Sequence, residues 1–231
     1  MEIRLDRTLL PEATSFMDEL SRDFLTAAGL RDRRDYSAFY SPCVPSPLLV
    51  LNANPGGDAD DYQVVDVGAG QHEYIEGYGK TSATTGRILM DALGQVDAEA
   101  IRGVQGSNVI WRRSRRMAQL AISEKDAALE TQPFLKRMIQ HVAPRAILFG
   151  GNSAFTLFIE AHQATARSFP DETLTGPNGS RQAVVYARYE LQLPYLSGPV
   201  DAFVILHPCK GVRAEAMAAL RRALPRALAA A

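Results

Sequence analysis

At 231 residues, 46% hydrophobic and 22% charged, the chain can fill one sizeable core and carry at most a short added segment. Its 25 Lys and Arg balance 26 Asp and Glu to a formal charge of −1, so no global basic field points to nucleic acid. Two cysteines, Cys43 and Cys209, suggest no disulfide framework; an acidic start without a long apolar run suggests neither secretory signal nor membrane anchor, and a cytoplasmic protein is expected.

In chain order, residues 12–28 show helical spacing, with Phe16, Leu20 and Leu25 near one face and Gly29 as the stop. A polar, proline-punctuated connector follows at 31–47. The stretch LLVLNANPGG then drives an apolar strand, expected over 47–52, into a turn that Pro55 and Gly56-Gly57 enforce. From Pro55 to Thr85 the sequence is rich in Gly, Asp and Tyr, a loop length that is usually functional or disordered. Gly86 to Leu93 reads as a helix packing through Ile88, Leu89 and Leu93. The segment SNVIW (107–111) reads as a short strand with Asn108 near its start, and the arginine run WRRSRR follows.

Residues 132–142 form an amphipathic helix ended by Pro144, 145–151 a buried strand with a Gly-Gly exit, and 152–162 a helix capped by Asn152 or Ser153. Residues 181–193 read as extended and partly edge-like. The strand in 201–211 runs into His207-Pro208, and an Ala/Arg-rich helix interrupted near its end by proline closes the chain. Strands alternating with helices predict an α/β fold, with a mostly parallel sheet covered by helices on both faces. In such a sheet the exits Asn54-Pro55-Gly56, Gly150-Gly151-Asn152 and His207-Pro208-Cys209 lie along the edge where ligands bind.

Other motifs are rejected. GYGKT (77–81) has Tyr74 where a phosphate loop needs its first glycine, and no strand precedes it. His72-Glu73 lacks the second histidine of a zinc protease, and Pro208-Cys209 lacks the further cysteine of a zinc deaminase. No metal site and no cofactor are expected.

The order strand–NPG, helix with G-R-x-L, strand with Asn, P-R-A-I-L-F-G-G-N-S-A and strand–HP resembles the uracil-DNA glycosylase superfamily, in the branch that uses asparagine, over roughly residues 47–215. The resemblance implies a three-layer α/β/α domain over 46–231 with a four-stranded, mostly parallel central sheet. Residues 1–45 would then be a helix and connector packed on it. It implies a monomeric enzyme that takes duplex or single-stranded DNA as its partner, flips a damaged or modified base into a pocket and hydrolyses the N-glycosidic bond. His207 would donate a hydrogen bond to the negative charge growing on the departing base. Asn54 would hold the attacking water; an amide cannot take a proton at neutral pH, so Asp58 stands as an assisting base and a slow enzyme is expected.

Asn108 would read the base edge with a carboxamide that offers both donor and acceptor, beside Pro55 and Gly56. The sequence departs from the family where the base is chosen. It has no Pro-Phe after NPG, so Tyr78 is assigned the stack, with Tyr62 and Tyr74 as substitutes; Cys209 stands for the usual serine. Arg112, Arg113, Arg115 and Arg116, with Lys210 and Arg213, are expected at DNA phosphates. Two alternatives are carried: a glycosylase for a phage-type modified base acting in defence, and a nucleic-acid-binding protein that has lost catalysis.

Overall fold

The structure, a computed structural model, describes residues 1–56, 65–77, 80–178 and 181–229. Asp58, Tyr62 and Tyr78 therefore lie outside the described residues. Among those described there are six α-helices and seven strands: α1 Leu10–Ala27, β1 Leu48–Asn52, α2 Glu73–Glu76, α3 Lys80–Ala92, β2 Gln105–Asn108, α4 Glu124–Val142, β3 Ala146–Gly150, α5 Asn152–His162, β4 Thr165–Ser168, β5 Leu174–Asn178, β6 Arg181–Gln192, β7 Val200–Ile205 and α6 Ala214–Ala229. None of these helices is long and apolar enough to cross a membrane.

The sheet is mixed, and the expected four-stranded, mostly parallel sheet is corrected. Strands β2, β1, β3 and β7 pair in parallel in that order. β6 then runs antiparallel to β7, and both β4 and β5 pair antiparallel with β6. β6 is thus an interior strand with partners on both sides, not the edge-like segment expected. β4 reads TARS with every residue exposed, so it carries no alternation of apolar and polar residues by which a strand could be recognised.

All five residues of β1 are buried because both faces of the sheet are covered. Leu49 and Leu51, with Ile147 and Phe149 of β3, pack on one face against α1, α4 and α5 through Leu20, Phe24, Leu135 and Phe158. Leu48 and Val50, with Leu148, Phe203 and Ile205, pack on the other against α3 and α6 through Leu89, Leu220 and Leu224. This two-residue alternation is what a doubly covered strand requires. The buried stripe of α1 is Met17, Leu20 and Phe24 rather than Phe16, Leu20 and Leu25. Phe16 is only half-buried and stacks on His141 with ring centroids 4.2 Å apart.

Two helices begin earlier than expected. α4 starts at Glu124, where the Ser123 hydroxyl accepts from the Asp126 amide at 3.1 Å, and it runs straight through Pro133. α3 starts at Lys80 and contains Gly86. That glycine is there for space: a Cβ on Gly86 would overlap the Tyr74 carbonyl oxygen of α2. Alanine normally stabilises a helix interior by about 1 kcal/mol over glycine. Here the obstacle is backbone that cannot swing away, so Gly86→Ala is expected to cost about 2–3 kcal/mol in urea unfolding. A neutral or stabilising result would refute the close packing of α2 on α3.

Candidate functional site at the carboxyl edge of the sheet

Because β2, β1, β3 and β7 are parallel, their carboxyl ends share one edge. Asn108 aligns with Asn52, and Gly150 of β3 with Ile205 of β7, so these ends lie in neighbouring rungs. The edge therefore carries Asn108 directly, Asn54 two residues beyond β1, Gly151 one beyond β3 and His207 two beyond β7. Asn108 ends its strand rather than opening it, because β2 starts at Gln105. This brings its side chain to the edge with the other candidates.

Asn52 is a neighbour that sequence reasoning missed. The Asn108 Nδ2 donates to the Tyr40 hydroxyl at 2.8 Å, and the Asn52 Nδ2 to the Tyr74 hydroxyl at 3.4 Å. The two tyrosine rings meet edge to face, with centroids 5.9 Å apart. Gly106 permits the crossing, since a Cβ there would lie 2.9 Å from the Tyr74 ring and 3.0 Å from Tyr40. Burial holds both phenols far above their ordinary pKa, so both remain neutral. The Oδ1 atoms of Asn52 and Asn108 are buried, with no hydrogen-bond partner among the described residues. An orphaned acceptor of this kind costs about 1–3 kcal/mol, which a ligand with N–H donors would recover. Asn52 also explains Gly150: a Cβ there would overlap the Asn52 Oδ1.

Asn54 is held by its amino end. Its Nδ2 donates to the Pro55 carbonyl at 3.0 Å, the Ser114 carbonyl at 3.1 Å and the Ser114 hydroxyl at 3.0 Å. That leaves the Oδ1 as the end of the amide with accepting capacity. Arg113 donates to the Gly56 carbonyl at 2.8 Å, so the NPG turn is tied to the segment just after β2. Pro55 is buried, while Gly56 is exposed with open space where a Cβ would stand.

His207 opens a 3₁₀ turn over Pro208–Lys210. Its Nδ1 accepts from the Cys209 amide at 3.3 Å and sits 2.9 Å from the Cys209 sulfur. With Nδ1 an acceptor, the ring proton resides on Nε2. Burial, then the Lys210 charge, holds the His207 pKa below the usual histidine value, so the ring is neutral at physiological pH. Gly151, at φ +132°, brings its backbone against the ring: a Cβ would stand 3.7 Å from that of His207.

The arginine run does not act as one surface. Arg112, expected at a phosphate, makes a structural tie. Its Nε and Nη2 grip the Glu130 carboxylate at 2.6 and 2.8 Å, and Nη2 also donates to the Ala28 carbonyl, joining α1 to α4. Arg113 is half-buried, whereas Arg115, Arg116 and Lys210 are exposed. Arg213 is half-buried with its guanidinium against Gly176. The pairing of Arg112 with a glutamate 18 residues away depends on how α4 docks, which the run itself does not encode.

Next to the tyrosine pair, Glu73 is a second unanticipated group. Its amide donates to the Tyr40 carbonyl at 2.7 Å, and its carboxylate accepts from the Ser82 hydroxyl. Burial raises its pKa, opposed by that hydrogen bond and by Arg113. Glu73 and Arg113 both line a cavity of about 300 Å³ that Phe39, Tyr36 and Met17 of α1 also wall. No group of three His, Cys, Asp or Glu side chains able to hold a metal occurs among the described residues. No protein-family model and no curated protein matches the sequence.

Proposed function

We propose that the protein is a DNA glycosylase that flips a modified base from the strand and hydrolyses its N-glycosidic bond. The observation that carries this reading is the state of His207: a neutral ring whose Nδ1 is occupied from inside, leaving Nε2–H as a donor on the edge that also bears Asn54 and Asn108. Cleavage of a glycosidic bond develops positive charge in the sugar and negative charge on the leaving base. A neutral donor meets the second, while the Oδ1 of Asn54 orients the water that meets the first. Asn54 cannot take the water's proton, so the chemistry is slow unless a carboxylate such as Asp58 assists. Arg115, Arg116 and Lys210 supply exposed charge for the DNA backbone.

The edge favours a base other than uracil. Uracil offers one N–H donor flanked by carbonyl acceptors, which Asn108 alone satisfies. A second orphaned acceptor on Asn52, next to Asn108, suits a base that also carries an amino group, such as a modified cytosine or a purine.

The test is a panel of duplex and single-stranded oligonucleotides holding uracil, hypoxanthine, xanthine or modified cytosines, assayed for abasic sites. Excision of at least one base is expected, with amino-bearing bases preferred. Asn108→Asp is expected to change the ranking of substrates while the protein stays folded. Binding to every oligonucleotide without cleavage would replace this reading with that of a catalytically silent binding protein.

A further inference from the structure

A second cavity, of about 200 Å³, lies between β6 and α6, away from the NPG turn. At this size it has room for a small molecule rather than for a polymer. Arg222 and Arg226 enter it from successive turns of α6, and Arg188 of β6 also lines it. Arg188 is already spent: it donates to Asp201 at 2.9 Å and to Glu172 at 3.0 Å. Arg222 and Arg226 make no hydrogen bond or ion pair among the described residues, and Asp171 on the rim makes none either. Like charges four residues apart on a helix repel each other, a tension that an anion between them would relieve.

An independent sign of a ligand comes from Tyr186. The residue is fully buried, it lines this cavity, and its hydroxyl has no partner among the described residues. Burial, with Glu172 second, pushes that phenol up to about 12, so the group stays a protonated donor. Two guanidinium forks and a hydroxyl offer more donors than the two oxygens of a carboxylate can accept; the three terminal oxygens of a phosphate match them better. Leu174, Ala219 and Ala223 provide an apolar wall for a carbon body, and the Asp171 carboxylate can accept from hydroxyls on that body.

We propose that this cavity binds a small sugar phosphate, its phosphomonoester held by Arg222, Arg226 and the Tyr186 hydroxyl and its hydroxyls directed to Asp171. The site is separate from the sheet-edge chemistry and stands or falls independently of it.

Isothermal titration of the full chain with ribose 5-phosphate, inorganic phosphate, ribose and an oligonucleotide lacking terminal phosphates tests the assignment. Ribose 5-phosphate should bind more tightly than inorganic phosphate, and ribose should not bind. The double variant Arg222→Ala/Arg226→Ala, both on the exposed side of α6, should weaken binding by roughly tenfold or more without lowering Tm. Tyr186→Phe should weaken binding less, yet raise the Tm of the ligand-free protein, because the unpartnered hydroxyl is gone. The proposal is overturned if ribose 5-phosphate does not saturate a site, or if the arginine variant binds it as wild type does. Tighter binding of the oligonucleotide would also overturn it, by making these arginines part of a nucleic-acid track.

Discussion

Replacing His207 by alanine is expected to slow excision of the preferred base by roughly 10²–10³-fold in single-turnover assays, the scale of losing one preorganised donor to a developing anion. The donor is preorganised because the Cys209 amide fixes the ring from the Nδ1 side. No proton has to be delivered, since the ring is neutral and carries its hydrogen on Nε2. The fold should tolerate the change: His207 is half-exposed and caps only a three-residue turn. Substrate affinity measured with the variant should move little, which separates loss of chemistry from loss of DNA binding. His207→Gln, which keeps an N–H donor of different reach, is expected to recover part of the rate. Excision by His207→Ala at the wild-type rate would remove the imidazole from the chemistry and leave the departing base to be stabilised by other groups.

The elements legible in the sequence are those whose burial pattern is local. β1 and β3 are continuous apolar runs ending in Asn-Pro-Gly or Gly-Gly, and they occupy nearly the residues expected. What the sequence does not display are the partners. Tyr40 meets Asn108 across 68 positions, and Asn52 meets Tyr74 across 22, through a crossing that only the packed fold makes. In LLVLNANPGG the first asparagine reads as the end of a strand and the second as part of the turn, although Asn52 is the more buried of the two. The antiparallel half of the sheet was hidden for a different reason. β4 is short, polar and exposed, and its pairing with β6 is backbone hydrogen bonding that side-chain patterning does not encode.

Acid should begin to destabilise the protein above the pH at which ordinary carboxylates titrate. His72 is fully buried, its Nδ1 accepting from the Tyr74 amide at 3.2 Å and its Nε2 donating to the Val104 carbonyl at 2.8 Å. Burial, chiefly, lowers its pKa to about 4, with Arg102 acting in the same direction and Glu76 against it. His162 meets the Tyr195 hydroxyl through Nδ1 at 2.6 Å, while its buried Nε2 has no partner among the described residues. Burial and the Lys136 charge lower its pKa to about 4 as well.

Unfolded, both rings return to about 6.5, so below that pH the unfolded chain binds protons that the folded one refuses. Their full stability contribution is therefore present above about pH 6.5 and is lost as pH falls toward about 4. Each drop from 6.5 to about 4 is worth about 3 kcal/mol, and the pair is comparable to the net stability of many domains. Glu73 opposes them, since its raised pKa favours proton uptake by the folded state, while the lowered pKa of His207 acts with them. Urea unfolding free energies should be flat from pH 8 to 7 and then fall by up to about 2.7 kcal/mol per pH unit, the slope of two protons. His162→Phe, which keeps the stack on Phe158, should cut that slope by about half. A stability profile level down to pH 5 would mean that these two rings are not held neutral by burial.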